Sequence, residues 1–301
     1  MPYHVRRHEP LDDLFDRLVG QELARAVAAA ADPALSLEER VHELRSRLKK
    51  ARAVVRLVRA HGGHQARRAR RDDHWMRDVA RALAAAREAL VLPMTLQRVS
   101  DASRNSKSAP DLIRLLGSAE AAARRQLSPP AQARIERALE KAAAALRGYR
   151  SRLAHASLSH PRRILLDGLV TSYRDTRRAL SRLPPESSPE PLHRWRTQVK
   201  RLGYQVRLLR RIAPAIWRAL GAPLERLGDE LGEAHDLVVL ESWIASEAPI
   251  SGPAARARLT AAITEVRHRR EREARAAGEK LLKEKPRVLE EKLKKAWRAW
   301  R

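Results

Sequence analysis

Two stretches of this chain align without a gap at a separation of 151 positions: VHELRSRLKKARAVVRLVRA (41–60) and LHRWRTQVKRLGYQVRLLRR (192–211). His42 falls on His193, Arg45 on Arg196, Lys49 on Lys200 and Arg56 on Arg207. A second match follows in the same order, AAREALVL (85–92) over EAHDLVVL (233–240), at an offset of 148. Two matches in one order at nearly one offset argue for an internal duplication. Whatever the fold is, its plan must be one that can be written twice.

The apolar spacing selects helices. Leu, Val, Ile and Ala recur at helical intervals, and no stretch alternates as a strand would. The spacing predicts helices over 11–31, 37–60, 74–99, 111–126, 130–155, 161–183, 191–211, 215–247 and 254–285, with a last segment after Pro286. Ser36 is the expected N-cap of the second. The paired glycines and charge run of HGGHQARRARRDD (61–73) predict a loop or basic arm, and SDASRNSKSAPD (100–111) and PPESSPEP (184–191) predict polar loops. Aromatics make up only 4% of the chain, consistent with helix packing by aliphatic side chains. The expectation is an all-α chain of two helical bundles related by approximate two-fold symmetry, residues 8–158 and 159–301.

On a helix at about 100° per residue, His42, Arg45, Lys49, Arg52 and Arg56 share an arc of roughly 80°. Leu44, Leu48, Ala51, Val55 and Val58 lie opposite. The second copy repeats the stripe with His193, Arg196, Lys200 and Arg207, with Gly203 in place of Arg52. Each stripe is about 21 Å long. A solvated face intersperses acids for i,i+4 pairing, and neither stripe contains one. Like charges in a row repel, so something else must compensate them. A polyanion would, with Arg as a fork for phosphate oxygens and Lys as a point charge.

The charge balance agrees. There are 62 Lys+Arg against 36 Asp+Glu, a formal net charge of +26, which favours nucleic acid, anionic membranes or polyphosphate as partners. With no cysteine, thiol nucleophiles, disulfides and thiolate metal sites are excluded. The N-terminus has no signal-peptide core and no run reaches membrane-spanning length, so the expectation is a soluble, cytoplasmic protein without membrane insertion. One histidine per motif, without a partner at i+4, argues against a metal site. As phosphate donors the histidines fit, because a polyanion raises an imidazole pKa. No phosphate-binding loop, hydrolase or dinucleotide fingerprint is present, and no cofactor is implied. Glu271 to Arg275, within a helical Arg/Glu run, read as solvated i,i+4 pairing.

The repeated HxxRxxxKR followed by an aliphatic helix resembles the CHAD domain, the conserved-histidine α-helical domain. The resemblance runs from about residue 10 to the C-terminus and includes Tyr173 to Leu180, LGEAHDLVVL (231–240) and GEKLLKEKP (278–286). It implies two pseudo-symmetric four-helix bundles flanking a basic cavity that binds inorganic polyphosphate, and no catalysis. By position it implies His42, Arg45, Lys49, Lys50 and Arg56 as ligand contacts in the first half. In the second it implies His193, Arg196, Lys200 and Arg201, with Tyr173 and Arg177 from the preceding helix. The chain departs from the family at Glu88 and His235, where an Arg-Asp pair is usual, and at Gly203, usually basic. These departures imply a weaker grip in the second half. Nucleic acid, through the same charge, is the second choice of partner, although recognition-helix motifs and aromatic platforms are lacking. A phosphohydrolase would require a convergence of acids that the sequence does not suggest.

Overall fold

The computed structural model describes residues 3–7, 9–59, 63–104, 109–149, 160–184, 189–250 and 252–300. Within them the chain is all-α, with no strand. The helices are α1 (Leu11–Ala31), α2 (Leu37–Arg59), α3 (Gly63–Ala82), α4 (Ala84–Ser103), α5 (Ala109–Gln126) and α6 (Pro129–Arg147). They continue with α7 (Pro161–Ser181), α8 (Pro189–Leu208), the short α9 (Pro214–Ile216), α10 (Ala222–Ser246), α11 (Pro253–Leu281) and α12 (Pro286–Trp300). A π-helical turn, Trp217–Gly221, joins α9 to α10.

Local chemistry sets several of these ends. Ser36 opens α2 through a capping box: the Glu39 backbone N–H donates to Ser36 Oγ at 3.2 Å, and the Ser36 N–H donates to the Glu39 carboxylate at 2.8 Å. Two backbone donors at the helix start are thereby satisfied. Proline occupies the first turn of α6, α7 and α11, where its missing N–H costs nothing.

Other boundaries differ from the sequence expectation. Residues 63–73 are helical, not a loop or arm, because Ala66, Ala69, Asp72, Asp73 and Met76 form a buried stripe within the arginine run. Alanine and aspartate made that stripe nearly invisible to hydrophobic periodicity. The expected helix 74–99 is divided at Leu83, whose backbone (φ −101°, ψ 13°) leaves helical geometry. From there α4 runs on to Ser103, into the expected polar loop. Helix α6 stops at Arg147, and the expected extension to 155 falls largely outside the described residues, as does the 158/159 boundary between halves. Helix α11 ends at Leu281, and the expected helix 215–247 is interrupted by the π turn.

The cores do not sort one per half. The larger unites α1, α2 and α6 with α7, α8 and α12, through residues such as Phe15, Leu48, Leu169, Trp195 and Trp297. Trp297 thus anchors the last helix, as its place in the sequence suggests. The smaller combines Leu96 and Val99 of α4 and Leu116 of α5 with Leu240 and Ile244 of α10 and Ile263 of α11. Two helices from each half therefore share this core, so the two halves do not each keep a core of their own. Each fully buried aliphatic side chain contributes roughly 1.5–3 kcal/mol, so much of the stability is held between the halves. The pairing within each half nevertheless recurs: α1 packs on α2 and α6, and α7 packs on α8 and α12.

Helix α2 lies at the centre, packed against α7 and α8. Gly168 of α7 permits this approach, because a Cβ there would sit 2.8 Å from the Leu57 carbonyl oxygen. On α8, Gln205 is fully buried and its Nε2 donates to the Ala53 carbonyl of α2 at 2.9 Å. The two copies of the repeated segment thus stand side by side.

Candidate functional site

Where α2 faces α8, the two basic stripes border one open cavity of about 220 Å³. Helix α2 contributes Arg45, Lys49, Arg52 and Arg56, and α8 contributes His193, Arg196, Lys200 and Arg201. Arg87 and Glu88 of α4 and His235 of α10 complete the charged wall. Eight Lys or Arg side chains thus line a cavity to which the lining residues bring one carboxylate, Glu88.

The missing acids of the stripes come partly from other helices. Buried Asp73 of α3 accepts from Arg52 Nε at 2.8 Å and Arg56 Nε at 2.9 Å. Asp236 pairs with Arg87, and Asp229 accepts from Lys200 Nζ at 2.8 Å. Arg45 donates to the Ala80 carbonyl near the C-terminal end of α3, where the helix dipole favours a cation. Among the described residues four of the eight cations form no ion pair: Arg45, whose acceptor is that carbonyl, and Lys49, Arg196 and Arg201. Arg196 and Arg201 each also hold a buried Nε–H with no acceptor.

The consequence is a strained electrostatic environment. Burial, then Arg196 and Lys200, pushes the Lys49 ammonium well below its ordinary pKa. Burial first and neighbouring arginines second bring Arg45 and Arg201 down to about 10. The His193 and His235 rings stand 4.7 Å apart, centroid to centroid. His235 is pushed down to about 3 by burial, with Arg196 and His193 adding to it. His193 is lowered by burial and Arg196, and His42 by burial and Lys49. In the ligand-free protein the imidazoles are thus biased towards neutrality, and only an incoming anion would reverse that bias.

The geometry also separates the sequence-predicted residues. Arg45, Lys49, Arg56, His193, Arg196, Lys200 and Arg201 border the cavity. His42 lies on the same helix but outside its lining. Lys50 instead borders an adjoining recess of about 230 Å³, shared with Lys200, Gly203 and Arg207. Tyr173 and Arg177 do not line the cavity. The Tyr173 hydroxyl donates to the Glu284 carbonyl at 2.9 Å and Arg177 Nε to the Leu282 carbonyl at 2.7 Å, holding the α11–α12 turn. In this structure both serve the packing of α7 against that turn. Glu271 likewise is buried, accepting from Arg267 at 2.9 Å, so this part of the 267–275 run is internal and not solvated.

Gly203 sits in a helix contact, where an added Cβ would make an ordinary van der Waals approach. It is buried against Leu224 of α10, and an added Cβ would lie 3.6 Å from the Leu224 Cβ. It faces a neighbouring helix, so the missing charge leaves no gap in the cavity wall. Two glycines that sequence reasoning did not single out do shape that wall. Gly228 and Gly232 of α10 lie against the Lys200 stem and the Arg196 guanidinium, 3.3 and 3.6 Å from where their Cβ atoms would be. Their spacing of four, one helical turn, was the available signal. Among the described residues no three His, Asp or Glu side chains gather as a metal site. No helix there is long and apolar enough to cross a membrane.

Fold and cavity together define an all-α protein in which a repeated basic helix is paired with its own copy. A sequence model of the CHAD domain matches residues 19–245, and the chain belongs to that family. No curated protein matches it.

Proposed function

We propose that this protein binds inorganic polyphosphate in the cavity between α2 and α8 without transforming it, serving as a scaffold or targeting module on the polymer. The observation that carries the reading is the convergence of Lys49, Arg196 and Arg201, without acid partners, on one cavity. A linear chain of phosphates supplies what they lack: closely spaced oxygens for the guanidinium forks and distributed charge for the ammonium. The cavity is far too small for a duplex, whose major groove alone is about 12 Å wide. A cytoplasmic location on polyphosphate granules follows from this reading.

The test is competition among polyphosphate, duplex DNA and RNA at matched phosphate concentration. Polyphosphate should win, with an affinity that falls steeply as salt rises. Arg45→Glu with Lys49→Glu, and separately Arg196→Glu with Lys200→Glu, should each weaken binding severely. Each lost phosphate contact should flatten the log-affinity against log-salt slope by roughly 0.7–0.9 if nucleic-acid values transfer. The control is Arg269→Glu with Arg272→Glu, two exposed positions on α11. Equal loss in the control would mean binding by bulk charge, and equal competition by DNA would replace polyphosphate with nucleic acid. Polymer length should be unchanged after incubation with Mg²⁺ or Mn²⁺; metal-dependent phosphate release, abolished by a carboxylate substitution, would make the protein an enzyme.

A further inference from the structure

A second concavity lies away from the basic cavity. It is a groove of about 700 Å³ between the α9–π-turn segment and α12, with the end of α11 and Tyr173 at its base. Its exposed surface is mostly apolar. Ile212, Leu220 and Leu289 form the buried floor, and half-buried Ile216 and Leu281 extend it. Ala215 and Ala219 stand on one wall and Ala296 and Ala299 on the other.

The rim is cationic. Arg218, Lys280, Lys283, Lys292 and Lys295 surround the groove, and the one carboxylate, Glu284, pairs with Lys292. Among the described residues the other four cations form no ion pair. One wall also carries the π turn, a rare geometry that occurs most often where a helix is adapted for function. Trp217 packs over Gly221 within that turn, a glycine whose added Cβ would run into the ring.

We propose that this groove docks an acidic amphipathic helix from a partner protein. The wall from Leu289 to Ala299 is about 15 Å long at helical rise, enough for anchors at i, i+3 or i+4 and i+7. Alanines on both walls let a helix backbone approach closely. The distribution of charge selects among occupants: cations spread along the rim require several acids spread along the ligand, whereas an acyl chain carries its charge at one end. A second copy of this chain, at +26, is disfavoured by like charge. The proposal is independent of polyphosphate binding, since neither groove nor rim shares a residue with the basic cavity.

The experiment uses the full chain and a labelled 15-residue helical peptide with Leu at i, i+4 and i+7 and Glu on both flanks. Fluorescence anisotropy reads its binding, and a peptide of equal charge with the Leu positions scrambled is the control. Exposed Ala219 and Ala299 are replaced singly, Ala219→Trp and Ala299→Trp, to fill the groove without altering charge. Each should weaken the Leu-patterned peptide roughly tenfold or more, and Lys280→Glu with Lys295→Glu should do likewise. Polyphosphate affinity should not change in the Trp variants, and circular dichroism should show native helicity. Equal binding of the scrambled peptide, or indifference to both Trp variants, would overturn the proposal. So would palmitate binding that the Trp variants abolish while the peptide fails to bind, because the groove would then be a lipid site.

Discussion

Replacing Lys49 by Met should make the ligand-free protein more stable and the polyphosphate complex weaker. Met keeps most of the aliphatic stem that packs along the cavity wall and removes only the charge. In the free protein that charge has no acid partner, and burial together with Arg196, Lys200 and Arg45 presses against it. A buried ion carries an effective penalty of several kcal/mol when uncompensated. Lys49 sits only partly out of solvent and escapes part of the penalty by releasing its proton, so a gain of about 1–2 kcal/mol is reasonable. That raises Tm by roughly 2–8 °C at the 2–4 °C per kcal/mol of somewhat smaller chains. In the complex the same ammonium supplies a charge-assisted contact of about 1.5–3 kcal/mol. Its loss should raise Kd roughly 10- to 100-fold. Scanning calorimetry of the free protein at pH 7.5, alongside polyphosphate titration in one buffer, reads both signs. A Tm that falls, with binding unchanged, would show that Lys49 is a structural cation whose partner has been misplaced, and the reasoning for the site would fail.

Four further outcomes follow from the same geometry. Polyphosphate should bind more tightly as pH falls from 8 to 5, because His193 and His235 are held neutral in the free protein and gain protons beside an anion; calorimetry in buffers of different ionisation enthalpy should show proton uptake, and proton release would refute it. Without ligand the sign reverses: His235 has a folded pKa of about 3 against an ordinary 6.5, so its contribution is fully present above pH 6.5 and is lost progressively as pH falls from there towards 3, readable as a falling urea midpoint. Asp73→Asn strands Arg52 and Arg56 without their shared carboxylate and should cost about 3–5 kcal/mol in urea unfolding, while freeing those guanidiniums to hold polyphosphate several-fold more tightly. Gly168→Ala places a Cβ 2.8 Å from the Leu57 carbonyl oxygen and should destabilise by about 1–3 kcal/mol, although alanine is the better helix former; an unchanged urea midpoint would mean that α7 can move away from α2 at no cost.

The all-α class, the Ser36 cap, the duplicated basic helix and most of the cavity wall were legible in the amino-acid order. The reason is that each depends on short-range spacing: 3.6-residue periodicity, a Ser-x-x-Glu cap, a stripe one turn apart. Tertiary structure alone decided which cations remain unpaired. Asp73, Asp229 and Asp236 come from α3 and α10, and no periodicity within α2 or α8 announces an acid arriving from another helix. The same limit misplaced Tyr173 and Arg177, whose hydrogen bonds go to carbonyls over a hundred residues away. It also hid the first half of α3, because its buried face there is alanine and aspartate and becomes a face only when α2 presents arginines to it. Local sequence sets which way a side chain points along its own helix. What that side chain meets is set by how the helices pack, and in this protein packing decides which of the basic residues are free to hold an anion.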